Sequence, residues 1–314
     1  MKHSSALWLN YLLVIAVMMF WGLNVVGLKI LVEYIEPASM QALRIFTAGL
    51  VLMAIIGIKK EWRRFSFHEW KHIAVASLFG VILHHLFLAI GLTTATAVNT
   101  SLIMALVPLT TSLLAMILLG DPVTKLRLLG VFSGLTGVFL ITAAGADAEV
   151  SGFSSGDFFV FLAMLAQAVS FVYIKKATSS IGPRELTGYM FISGAVGLVI
   201  ISLILEPNGI LSAFSAPAYV WWIFIGSAVL ATALGHQIFN SSIQKIGAGE
   251  TAVFNNLVPF FGMVSSAYFL NETVYPGQLA GFVFIVIGVL CGTGYIEYKW
   301  LQRQRNRTSL KRTR

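Results

Sequence analysis

AVNTSLIMALVPLTTSLLAMILLGDPV (residues 97–123) and AGETAVFNNLVPFFGMVSSAYFLNETV (residues 248–274) are one passage occurring twice, 151 residues apart. Ala97 falls on Ala248, Thr100 on Thr251, Val107-Pro108 on Val258-Pro259, Leu119 on Leu270 and Asp121 on Glu272. The same register extends outward, with His85 on His236, Val123 on Val274, Gly130 on Gly281, and Gly137-Val138 on Gly288-Val289. The chain is therefore expected to hold two related halves, residues 1–145 and 146–297, of about five hydrophobic segments each. A basic tail, residues 298–314, follows. An odd number of membrane crossings per half turns the second half upside down relative to the first. Inverted halves are a construction of secondary transporters.

Composition points the same way. Hydrophobic residues make up 57% of the 314 and charged residues 11%, with a mean hydropathy of +0.84. Apolar stretches of about 20 residues, enough to cross ~30 Å of hydrocarbon, lie near 8–28, 38–58, 73–92, 97–119, 126–144, 157–174, 187–205, 218–240, 250–270 and 277–296. The expected fold class is an all-α integral membrane protein, with ten transmembrane helices as two inverted five-helix repeats. The first stretch reads as a retained span, since no small-residue cleavage site follows it. Cys291 is the sole cysteine, so no intramolecular disulfide framework and no cysteine-based metal site is expected.

Charge predicts the orientation. Of the 21 basic residues, all but Lys29 and Arg44 fall on one side of the ten-span layout, in alternate connections and at both termini. The other side has Lys29 with Glu33, Glu36, Asp147, Glu149, Asp157, Glu206 and Glu272. The positive-inside rule makes the basic side, and both termini, cytoplasmic, in the inner cell membrane. The net charge of +8 then reflects topology and contact with anionic lipid, and no nucleic-acid partner is expected.

The run Trp21-Gly22…Lys29…Pro37…Arg44 resembles the opening of the first repeat in the EamA branch of the drug/metabolite transporter superfamily. So do Leu119-Gly120-Asp121-Pro122-Val123 with Leu129-Gly130 and Gly137-Val138, and their second copy, Leu270-Asn271-Glu272-Thr273-Val274 with Gly281 and Gly288-Val289. The resemblance covers nearly the whole chain. It implies a ten-span carrier that exports or exchanges small metabolites through a central cavity, formed mainly by spans three, four, eight and nine. One departure stands out. Pro183 is the analogue of Pro37, but Met190 and Phe191 stand where an analogue of Arg44 belongs.

Pro108 and Pro259 fall mid-span at equivalent positions. Each lacks an N–H, so the carbonyl four residues earlier, of Met104 and Asn255, loses its helical donor and the helix bends. Such backbone is tolerated where it lines a cavity, which makes both prolines candidate hinges. Arg44, about 10 Å into the membrane at 1.5 Å per residue, faces no buried acidic residue and reads as a gating or structural group rather than a direct substrate ligand. A carboxylate-bearing substrate would reverse that preference. His85 and His236 should bracket the substrate, one on each side of the midplane. Histidine, with an ordinary pKa near 6.5, is almost the sole side chain here able to carry a proton across. Two hydrogen-bonded core histidines are the competing explanation. His84, a helical step of about 100° from His85, should not share its view of the cavity.

Asn255 and Asn256 form the most polar mid-span pair and must meet protein or water. They are cavity candidates, and interhelical hydrogen bonding explains them equally well. Asn24, Gln167, Gln237 and Asn240 carry the same two readings, and Asn99 also that of a helix cap. Trp21 and Tyr173 are the aromatic candidates for the cavity wall, with core packing as the alternative. Gly130, Gly134 and Gly137, with Gly281, Gly288 and Gly292, predict close packing of spans five and ten.

His68-Glu69-Trp70-Lys71-His72 spells HExxH, the pattern of zinc peptidases. Its place in a basic loop, and the absence of the third histidine of the extended metal motif, argue against an enzyme. No cofactor and no metal is expected. The sequence as a whole predicts a secondary transporter of amino-acid-like metabolites, with a toxic-compound exporter, a membrane zinc peptidase and a non-transporting receptor as alternatives. Proton, sodium and downhill drive stay open, and a homodimer is compatible with the sequence.

Overall fold

Two serines and two prolines show how the helices start. Ser66 and Ser154 each close a capping box, with Glu69 and Asp157 respectively: the serine hydroxyl accepts the third residue's N–H while that residue's carboxylate accepts the serine's own. Pro37 and Pro183 occupy the first turn of their helices, where the missing N–H costs nothing. The computed structural model describes residues 2–119, 124–144, 154–178, 180–246, 254–292 and 296. Among them, every regular element is helical.

The helices are α1 (Lys2–Tyr34), α2 (Pro37–Ile58), α3 (Phe67–Ser77), α4 (His84–Thr94), α5 (Ala97–Met104), α6 (Val107–Leu119) and α7 (Lys125–Ala144). They continue as α8 (Ser155–Ala177), α9 (Pro183–Leu205), α10 (Gly209–Ser212), α11 (Ala218–Ile225), α12 (Gly235–Ile246), α13 (Leu257–Phe269) and α14 (Pro276–Gly292). Among the described residues, seven stretches are long and apolar enough to cross a membrane: Leu9–Tyr34, Pro37–Ile58, Phe67–Thr94, Ala97–Leu118, Ser155–Ala177, Pro183–Leu205 and Ala218–Phe239. Leu257–Phe269 and Pro276–Gly292 are shorter apolar helices. The tail 298–314, Asp121, Asp147, Glu149, Thr251 and the side chain of Asn240 lie outside the described residues.

Two of these stretches widen at matching places. Leu78–Leu83 joins α3 to α4 as a π-helical run, and Gly226–Leu234 joins α11 to α12 in the same way. Each ends immediately before the segment that carries His85 or His236. Runs of this kind are uncommon and recur at functional sites.

The helices are interrupted just ahead of the prolines, at a tightened turn. Ala105 and Leu106 separate α5 from α6, and Leu106 N–H donates to the Ile103 carbonyl, three residues back (3.1 Å). Asn255 and Asn256 precede α13, and Val258 N–H donates to the Asn255 carbonyl (3.1 Å). The Asn255 carbonyl, expected to lose its donor to Pro259, is therefore satisfied by a shorter-range bond instead.

Helices α7 and α14 run antiparallel, glycine against glycine. A Cβ on Gly130 would strike the backbone of Gly288 (2.6 Å) and Gly292, and one on Gly137 would strike the Gly281 carbonyl (2.6 Å). Ser133 Oγ donates to the Phe284 carbonyl across the same seam (2.8 Å). α2 and α9 are a second antiparallel pair, with Gly49 against Ile192 and Gly188 against Ile56.

Candidate functional site

Arg44 is the centre of the polar interior. It is 1% exposed, and each of its five N–H groups has an acceptor. Nε and Nη2 both donate to Gln41 Oε1 (2.9 and 2.8 Å), one turn back on α2. Nη1 donates to Ser227 Oγ (3.2 Å) and Thr232 Oγ1 (2.7 Å), both on the second π-helical run. Nη2 also meets His85 Nδ1 at 3.0 Å. A guanidinium can only donate, so Nδ1 of His85 accepts and the ring proton sits on Nε2.

The widened turn explains why Ser227 and Thr232 are available. A π-helical run leaves carbonyls poorly aligned with their own helix, and side chains take them over. Thr232 Oγ1 donates to the Ser227 carbonyl (2.8 Å), Trp21 Nε1 to the Ala231 carbonyl (2.8 Å), and His236 Nδ1 to the Thr232 carbonyl (2.8 Å). Ser227 Oγ donates to Asn24 Oδ1 (2.5 Å). His84 Nδ1 donates to the Ala163 carbonyl on α8 (3.0 Å).

Arg44, His84, His85, Thr232 and His236 border one cavity of about 930 Å3, open mouth included. Both halves contribute at equivalent positions: His85 and His236, Pro108 and Pro259. Trp21, Asn24, Arg44, Gln167 and Asn255 also line it, and the rest of the wall is largely apolar. The Phe191 ring packs against both histidines, 6.2 Å from His85 and 5.2 Å from His236 between centroids. Thus the residue beside the missing analogue of Arg44 supplies an apolar wedge against the two imidazoles.

Several sequence-derived candidates land elsewhere. Tyr173 does not border the cavity; Lys176 lies over its ring at 5.5 Å, and the aromatic that α8 gives to the cavity wall is Phe171, four residues from Gln167 on the same helical face. Asn256 sits at the start of α13, off the cavity, while its neighbour Asn255 is on it. Gln237 borders a second, polar pocket with Glu61, Arg184, Glu185 and Ser241. Asn99 joins Asp157 and Gln278 in a network at the far end of α5. His84, against expectation, lines the cavity beside His85, the two rings 4.7 Å apart. Gln41, Ser227 and Thr232 are the functional partners the sequence did not single out.

The HExxH glutamate is committed to structure. Glu69 accepts the Ser66 N–H (2.8 Å) and pairs with Arg63, while His68 and His72 face one another through Nε2 at 3.1 Å.

The two ends of the molecule are tied by different bonds. At one, Lys29 Nζ donates to the Leu92 and Ala95 carbonyls (2.7 and 2.8 Å). Glu272 takes the first N–H groups of α5, at Ala97 and Val98 (2.9 and 2.8 Å), and Glu206 those of α2, at Ala38 and Ser39 (2.9 and 2.7 Å). At the other, Arg184, in the first turn of α9, pairs with Glu61 beyond the end of α2. Glu61 and Glu272 each follow a residue of positive φ, Lys60 (55°) and Asn271 (53°), which turns the chain at its helix end.

The signature of the EamA-like transporter family matches residues 8–143 and again residues 154–293. The chain belongs to this family. It is 31% identical over 303 residues to YyaM of Bacillus subtilis, described as an uncharacterized transporter, covering 95% of this chain and 96% of that one. A WAT1-related chloroplastic protein of Arabidopsis thaliana is 25% identical over 295 residues, covering 92% of this chain and 70% of its own. A solved crystal structure with 18% identity shares the fold, at a TM-score of 0.63 over 92% of this chain and 96% of that one. The EamA-family chain is thus a multi-pass membrane protein of a transporter family, with Arg44 and three histidines on the wall of one cavity.

Proposed function

We propose that this protein is a secondary transporter of ten spans in two inverted repeats, moving small amino-acid-like metabolites outward by alternating access. One observation carries the reading: a single cavity is bordered by equivalent residues of the two halves, His85 with His236 and Pro108 with Pro259. The family signature matching twice, and the antiparallel seam between the equivalent helices α7 and α14, support the inverted arrangement. The centres of water-sized spheres sweep about 150 Å3 of the cavity, room for several waters or a small organic solute. Acceptors are on offer beside the donors of Arg44, since Asn255 Oδ1 is buried without a partner and His236, donating through Nδ1, leaves Nε2 of a neutral ring to accept. With the basic side cytoplasmic, the Lys29–Glu272 end is external. Four backbone bonds from those two side chains support assigning the structure to a state closed outside.

The test is uptake and counterflow of radiolabelled amino acids and related metabolites in proteoliposomes, with and without pH and sodium gradients. Saturable flux of at least one solute is expected. No flux of any solute, in protein shown to be folded, would favour a receptor or scaffold instead.

A further inference from the structure

We propose that Arg44 is a substrate-binding residue, and that the cavity selects an organic carboxylate, gripped by its Nη1 and Nη2. The proposal rests on the transport reading above and names the chemical class of its cargo.

Hydrogen bonding and charge tell different stories at this residue. All five N–H groups of Arg44 are satisfied, yet every acceptor is neutral: one amide, two hydroxyls and one imidazole. Among the described residues, no carboxylate pairs with it; the ion pairs Arg63–Glu69 and Arg184–Glu61 lie at the opposite end of α2. A full positive charge within a span is expensive to keep unmatched. Scaffolding alone does not require one, since apolar packing holds helices together at lower cost. An anion that visits the site would match it.

The acceptors divide by position. Gln41 and Ser227 hold the guanidinium from behind and do not border the cavity. Thr232 and His85 do border it, and they take one N–H from each terminal nitrogen. Those two nitrogens form the fork that a carboxylate meets with two parallel bonds, about twice as strong as neutral ones. A carboxylate arriving from the cavity displaces Thr232 Oγ1 and His85 Nδ1 and leaves the Gln41 anchor intact. Both displaced groups keep useful partners: Thr232 still donates to the Ser227 carbonyl, and His85 Nε2–H stays free to donate to the same anion. The charge centre therefore becomes neutral at the moment the cargo is bound, and only then.

The placement also explains the asymmetry between halves. One anion needs one arginine, and the equivalent region of α9 carries Met190 and Phe191, with Phe191 packed against both histidines. A second cation there would leave a site of net double charge around a singly charged cargo.

The experiment compares matched probes that differ in charge alone: amino acids and simple C2–C9 carboxylates, each beside its own amide, with the corresponding amines. Counterflow in proteoliposomes and saturable shifts in melting temperature of the detergent-solubilised full chain are both read. Wild-type protein should move acids at least tenfold faster than their amides, and only acids should raise its melting temperature. Arg44→Gln should abolish the preference for acid over amide; Arg44→Lys, which keeps charge but loses the fork, should weaken it. If Arg44→Gln fails to fold, Thr232→Val and His85→Phe each keep the arginine and should alter acid affinity more than amide affinity. Equal handling of acids and amides by the wild type, or a folded Arg44→Gln that keeps the preference, overturns the proposal while leaving transport standing. If nothing moves but acids alone stabilise the wild type and not Arg44→Gln, the anion site stands and the transport reading falls. No flux and no stabilisation by any acid removes both.

Discussion

Lys29 and Glu272 hold opposite sides of the same turn. The lysine takes the last carbonyls of α4, at Leu92 and Ala95, and the glutamate takes the first amides of α5, at Ala97 and Val98. Each charge meets the helix end its sign prefers, a cation at a C-terminus and an anion at an N-terminus. The two side chains come from opposite halves of the chain, so the turn at residues 95–96 is where one half fastens the other.

Removing that fastening should open its end of the protein. Charge-assisted bonds contribute about 1.5–3 kcal/mol each, so Glu272→Gln should shift the equilibrium roughly tenfold or more toward the open state. A cysteine placed at Asn255 in a Cys291→Ser background should then react faster with a membrane-impermeant thiol reagent added outside. Unchanged labelling would show that other contacts keep this end shut.

Orientation has its own test. Cysteines at Ser212, the last residue of α10, and at Arg64, before α3, lie at opposite ends of α2 and its partner α9 and should respond oppositely to the same reagent on intact cells. Only Ser212→Cys is expected to label from outside. Labelling of both from outside would refute the ten-span layout.

The prolines should matter for movement more than for folding. Pro108→Ala or Pro259→Ala restores one backbone donor and removes the clash that interrupts the helix. Each should lower the transport rate severalfold with smaller loss of folded protein. Wild-type flux in the double substitution would remove the hinge role.

Glycines at the α7–α14 seam and elsewhere should behave in opposite ways. Gly130→Ala forces a methyl into the Gly292 backbone, an overpacking cost of about 1–3 kcal/mol. Gly226→Ala meets nothing within 4 Å and gains about 1 kcal/mol of helix propensity. Thermal unfolding in detergent should separate the two, with the first lowered by several degrees and the second not lowered.

The sequence carried the parts of this molecule that depend on polarity and punctuation. Hydrophobic stretches, the doubled Val-Pro, the paired histidines and the isolated Arg44 were all visible as departures from an apolar background. Thr232 and Ser227 were not, because a hydroxyl in an apolar helix usually bonds its own backbone, as Thr111 and Ser242 do here. Only the widened turn at Gly226–Leu234 aims them at Arg44, and no residue pattern announced that turn. Tyr173 illustrates the reverse error. It sits two residues from Phe171, and two residues on a helix is nearly the opposite face.

The glycine seam has a meaning for how the two halves have drifted. Gly130 against Gly288 and Gly137 against Gly281 are one contact made twice, because 130 corresponds to 281 and 137 to 288. A side chain gained at one of these sites has to suit its twin as well. Elsewhere the copies are free to specialise, as Arg44 and Phe191 have done, one furnishing charge and the other an aromatic wedge. The seam works as a shared axle: its two bearings stay alike so that everything mounted on it can differ.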